Sequence, residues 1–118
     1  MIDSRYLFVY GTLRRAFDNQ YAKLLRECSR FAGEGAITAA LYQLDGFTGM
    51  VPDPESGAPI QGEAFEIQDP DRLWPVLDEY EGAEFELRIV PVTLTDGLVL
   101  QSFVYAFRGD VTGRPRLN

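Results

Sequence analysis

Toward the C-terminus the runs LRIVPVTL and LVLQSFVYAF flank Thr95-Asp96-Gly97. Both runs are rich in β-branched and aromatic residues, and Asp-Gly between such runs is a strong hairpin signal. That hairpin commits this end of the chain to antiparallel sheet. Further strands lie upstream. IQGEAFEI, residues 60–67, alternates apolar and polar positions with period two, the pattern of a half-buried strand. Residues 36–44 suit another strand, with Tyr42 and Leu44 on one face, and residues 5–10 a first one. Between them DGFTGMVPDPESGAP, residues 45–59, is the longest stretch of turn formers. It reads as an irregular surface loop.

Two helices complete the plan. Asp18 is placed to cap a helix over 19–31. Its apolar positions Tyr21, Leu24, Leu25, Cys28 and Phe31 recur at helical spacing, and Gly33 and Gly35 end it. Cys28 is thereby a core residue and not a nucleophile. A second helix over 70–80 begins with Asp69 at the cap and Pro70 at the first helical position, with Pro75 distorting its early turns. The tail RGDVTGRPRLN is polar and loop-like. No repeat or linker interrupts the chain, which reads as one domain over 1–118. Five or six strands with two short helices define an α+β domain whose sheet curls into a small barrel.

The absent residues narrow the chemistry. There is no histidine, which removes Ser-His-Asp and Cys-His nucleophile systems and His-based metal sites. The single lysine is Lys23, on the solvent face of the first helix. Arginine keeps its proton at any useful pH, so acid–base work falls to a carboxylate, with tyrosine second. A net charge of −7 argues against nucleic acid as a partner, since phosphate binding needs a basic face. No apolar run approaches the ~20 residues that span a bilayer, and MIDSRYLF lacks the features of a signal peptide. The expectation is a cytoplasmic protein with no membrane partner, a monomer or weak homodimer.

Two short stretches carry chemistry. LDEYEG, residues 77–82, places Asp78, Glu79 and Glu81 at the C-terminal end of a helix, where the helix dipole is negative and each exposed carboxylate costs about 0.3–1 kcal/mol. Asp78 and Glu81 also share a face. Crowding and partial desolvation would raise the pKa of Glu81 or Asp78 toward a useful range. Taken alone, the hexapeptide is better explained by three solvated carboxylates with Gly82 ending the helix. Tyr10-Gly11-Thr12-Leu13, after the first strand, is no phosphate loop, because no lysine follows. Gly11 lets a backbone approach a ligand, and successive N–H groups in a tight bend hold a carboxylate or an oxyanion. The alternative is a strand-ending turn.

Read in order, FVYGTLR, ALYQLDGFTGMVP, IQGEAFEI and LDEYEG, followed by an arginine-containing strand, resemble the γ-glutamylcyclotransferase-like family over residues 6 to 107. That family includes γ-glutamylamine cyclotransferases and AIG2-like proteins. The resemblance implies a small mixed β-barrel with short helices around a central cavity. It also implies cyclisation of a γ-glutamyl group to 5-oxoproline with release of the attached amine, without metal or organic cofactor. The family's catalytic glutamate falls on Glu81, and its substrate-holding loop on Tyr10, Gly11, Thr12 and Leu13. Many relatives place a tyrosine between the Glu-Gly and an arginine. Here AEFELR offers Phe85, Glu86 and Arg88 instead. Arg88 is a candidate substrate-carboxylate ligand, or a strand arginine paired with Glu86 or Glu84. The competing reading is a non-catalytic module that binds a small amino-acid-like ligand on the same fold.

Overall fold

In a computed structural model, residues 5–11, 13–53, 55 and 57–118 are described. The elements run β1 (Tyr6–Val9), α1 (Gln20–Cys28), β2 (Ser29–Gln43), β3 (Thr48–Pro52), β4 (Ala58–Ile67), α2 (Pro70–Glu81), β5 (Phe85–Leu94) and β6 (Val99–Phe107). The expected C-terminal hairpin is β5–β6, paired from Phe85↔Phe107 to Thr93↔Val99. Its turn is closed by Gly97 N–H donating to the Leu94 carbonyl at 2.9 Å.

The strands lie in the order β3-β2-β4-β1-β6-β5, and β2 also pairs with β5 at Gly35↔Leu94 and Ala36↔Thr93. That second pairing closes β2, β4, β1, β6 and β5 into a mixed barrel. The parallel contact in it is β1 with β6, and β3 extends the sheet outside the ring. Side-chain alternation then divides the core in two. Phe8, Ala64, Val104 and Ala106 join Ile37, Met50, Ile60 and Val92 in one cluster, which fills the barrel. Their chain neighbours Leu7, Val9, Phe65 and Tyr105 face the other way and pack with Leu25, Cys28, Leu73 and Leu77 of the two helices. This double burial explains why the first strand is apolar at successive positions instead of alternating.

Three local expectations are corrected. The cap of α1 is Asn19, not Asp18: its Oδ1 accepts from the N–H groups of Tyr21 (3.1 Å) and Ala22 (2.8 Å). Asn19→Ala is expected to lower stability by about 1 kcal/mol, read as a fall in the urea midpoint. An unchanged midpoint would show that this cap carries nothing. The helix also stops at Cys28 and not at 31. The Cys28 carbonyl takes the N–H groups of Gln68 and Asp69, and from Ser29 onward the chain pairs with β4 instead. Phe31 therefore stands on a strand, edge-on to Phe65. Finally, the expected loop over 45–59 contains β3, which pairs antiparallel with β2 from Gln43↔Thr48 to Ala39↔Pro52. Met50, in the middle of that turn-rich stretch, is fully buried; pairing and burial outweigh local composition. The helix over 70–81 keeps its expected start at Pro70 and runs through Pro75.

The C-terminal tail is fastened to the sheet. Asn118 donates to the carbonyls of Ala39 and Ala58 and accepts from Leu41 N–H. Arg114 pairs with Asp45 at 2.8 Å, which steadies the β2–β3 turn.

Candidate active site

A cavity of about 610 Å³ opens between the end of β1, the β2–β3 turn, the last turn of α2 and β6. Tyr10, Gly11 and Leu13 form one part of its wall and Glu81 another. Thus the two short stretches, far apart in sequence, line one space. Thr12 lies outside the described residues.

Glu81 is the last residue of α2. Gly82 ends the helix with φ of 81°, a left-handed conformation that glycine adopts without penalty. Its N–H bonds to the Asp78 carbonyl at 3.0 Å. This turn directs Glu81 into the cavity, half-buried, and desolvation raises its carboxyl from 4.5 to about 7. The cause is burial, not the crowding of carboxylates that the sequence pattern invites. Asp78 has another task, accepting the Tyr105 hydroxyl at 2.7 Å. Glu79 is exposed.

Tyr10 contributes a ring face and not a free hydroxyl. Its OH donates to the Tyr105 carbonyl and accepts from Met50 N–H, both at 3.1 Å. Burial first, and then the charge of Glu81, push this phenol well above its ordinary range, so it stays protonated. Gly11 is different. It has no positive φ, and a Cβ added there would meet no atom within 4 Å. Neither backbone conformation nor packing within the protein calls for glycine here. Leu13, 4% exposed, belongs to the helix-side core as well as to the wall.

Arg88 is not part of the cavity. It is exposed and pairs with Glu86 at 3.4 Å. Being three residues from Phe85 on one strand, it projects from the opposite face. Phe85 does line the cavity, packed against the rings of Phe47 and Phe107 at 5.8 and 5.6 Å. Among the described residues the lining holds no arginine or lysine, and Glu84 is its second acid. An anionic ligand group would therefore be met by backbone N–H groups or by hydroxyls such as that of Thr48.

Sequence reasoning missed Tyr105, Tyr80 and Phe47 as wall residues. Tyr105 alone left a signal, as a phenol inside the apolar run SFVYAF. The role of the arginines after the loop also went unread. Arg14 Nε donates to the Gly11 carbonyl at 2.9 Å, and Arg15 clasps Glu63.

With that geometry in view, the comparisons with known proteins are direct. The profile described as "Gamma-glutamyl cyclotransferase, AIG2-like" matches residues 7–118, and the chain belongs to that family. No curated protein sequence matches it. Among solved structures, an AIG2-like protein from Mus musculus is similar with a TM-score of 0.78 at 22% identity, covering 98% of this chain and 87% of that one. An Arabidopsis thaliana protein has a TM-score of 0.72 at 19% identity, over 99% and 78% of the two chains. A structure described as γ-glutamyl cyclotransferase has a TM-score of 0.65 at 14% identity, over 97% and 70%. At these identities the likeness is one of fold.

Proposed function

We propose that this chain is a cofactor-independent γ-glutamyl cyclotransferase with Glu81 as its general acid and base. The carrying observation is a half-buried carboxyl with a pKa of about 7 in the cavity that Tyr10, Gly11 and Leu13 also line. Family membership supports the reading.

The chemistry follows from those groups. The substrate's α-amine attacks its own γ-carbonyl carbon, the new C–N bond closes 5-oxoproline, and the old amide C–N bond breaks. The α-ammonium gives up two protons, and both end on the departing amine. A single carboxylate near neutral pKa accepts and returns each in turn. Holding the chain bent makes the attack intramolecular, which carries much of the rate gain. The backbone of the loop after β1 grips the α-carboxylate, because no cationic side chain lines the cavity among the described residues.

The test is release of 5-oxoproline from a panel of γ-glutamyl amines, peptides and amino acids. Absence of turnover across the panel would sink the reading. The lack of a tyrosine in AEFELR, where the family resemblance leads one to expect it between the Glu-Gly and an arginine, favours the binding-module alternative. That reading expects ligand-induced protection of the cavity without product.

Gly11 gives a sharper check. Gly11→Ala is expected to leave stability unchanged or raise it by about 0.4–1 kcal/mol, since alanine fits the backbone and stiffens the unfolded chain. KM should rise roughly tenfold, because the methyl group occupies ligand space. A thermal melt and steady-state kinetics on one preparation decide it. A fall in stability with KM intact would show that Gly11 serves the fold alone.

A further inference from the structure

We propose that Glu63 and Arg15 are a positioning pair that holds the substrate-gripping loop against the barrel without touching substrate. The role rests on the cyclotransferase reading above. Glu63 is one of two polar residues buried among the described ones, 8% exposed, and it does not line the cavity. It stands on β4 opposite Val9, the last residue of β1. Both its oxygens go to a single residue of the loop. Oε1 accepts Arg15 N–H at 2.7 Å and Oε2 accepts Arg15 Nε at 3.2 Å. A buried carboxylate needs such charge-assisted partners, and removing one leaves the other exposed to a large penalty.

The opposite end of the arginine is fixed as well. Its guanidinium carbon lies 3.4 Å from the centre of the Phe31 ring, and Nη2 is 3.6 Å from Glu34. Stacking on a ring adds a cation–π contribution. The backbone between this anchor and Gly11 is a chain of turns. Arg14 N–H and Nε both reach the Gly11 carbonyl, Phe17 N–H reaches the Arg14 carbonyl at 3.0 Å, and Arg26 of α1 donates to the Phe17 carbonyl at 3.2 Å. Because these bonds tie Gly11 to Arg14 and Arg14 to Phe17, a clasp of Arg15 at Glu63 sets where Gly11 and Leu13 lie. Arg14 and Arg15 are the braces of the loop.

Glu63→Gln puts an amide donor against Arg15 Nε. Arg15→Met removes a guanidinium from a side chain that is 42% exposed but keeps the backbone N–H bond to Glu63. Glu63 thus loses one of its two partners and not both, and a thermal melt of each variant confirms that kinetics are read on folded protein. In both variants KM for a γ-glutamyl amide should rise about tenfold while kcat stays within about threefold, the signature of lost ground-state positioning. Amide hydrogen exchange at Arg14 and Phe17, whose N–H groups bond the Gly11 and Arg14 carbonyls, should quicken about tenfold relative to Leu7 and Phe65, as local opening becomes easier. Unchanged KM, or exchange that quickens equally throughout, overturns the proposal. If the wild type turns over no γ-glutamyl compound, the cyclotransferase reading has failed. Exchange at Arg14 and Phe17 then still decides whether the pair holds the loop.

Discussion

Glu81→Gln is expected to lower kcat/KM for 5-oxoproline formation by about 10²–10⁴-fold, the range a positioned acid–base group supplies. Glutamine fills the same space beside Tyr10 but neither takes nor returns a proton. Binding of substrate should survive, because the α-carboxylate is assigned to backbone groups on the opposite wall. Equal turnover by the variant would reject Glu81 as the proton carrier. In the wild type the acid limb of kcat/KM should fall near pH 7, where the Glu81 carboxyl titrates, and not near the ordinary glutamate value of about 4.3.

The same substitution should act on stability with the opposite sign. Because the folded-state pKa of Glu81 lies above its unfolded value, the native state binds more protons between the two values. Stability associated with Glu81 is then fully present below about pH 4.5 and is lost as pH rises through about 7. A shift from 4.5 to about 7 corresponds to ~3 kcal/mol, reduced to about 1–2 by partial solvent access. Glu81→Gln should therefore stabilise the protein at pH 8 and change little at pH 4. Urea titrations at both values read the difference directly. A variant that is less stable at pH 8 would show that the charged carboxylate is well satisfied in the cavity.

The parts legible in the sequence were those set by local chemistry. Asp96-Gly97 between two apolar runs is a turn wherever it stands, and Pro70 opens a helix for local reasons, although the Asp69 side chain before it makes no capping bond. Met50 was not legible as a strand residue. Its neighbours are turn formers, and its burial comes from β2 and the barrel interior. The end of α1 at Cys28 has the same origin, since it is Gln68 and Asp69 that take its carbonyl. At the site, Glu81 stood out because carboxylates at a helix C-terminus break a rule. The desolvation that raises its pKa depends on walls from three distant segments, the end of β1, the β2–β3 turn and β6. Arg88 looked eligible by charge and order but faces away, and nothing local marks Arg15, whose partner Glu63 is 48 residues on. Pairwise contacts at that distance leave no periodicity to read.

Gly62→Ala is expected to destabilise the protein by about 1–3 kcal/mol or more, as overpacking does where backbone must move. Gly62 on β4 faces Gly35 on β2. A Cβ there would stand 2.4 Å from the Val9 carbonyl oxygen and 2.5 Å from the Phe8 ring. Neither neighbour is the loose end of a flexible chain. Val9 is strand backbone paired with Glu63, and Phe8 fills the barrel at 1% exposure. Relief therefore requires β1 to lift from β4 just where the strand hands over to Tyr10 and Gly11. Because Phe8 and Val9 also line the cavity, activity should fall with stability, and the urea midpoint and KM should move together. Gly11→Ala is the contrasting case, with open space where Gly62 has backbone. A methyl group is thus expected to cost function alone at one glycine and fold plus function at the other. A stable Gly62→Ala with normal kinetics would mean that β1 and β4 are held less tightly than this crossing requires.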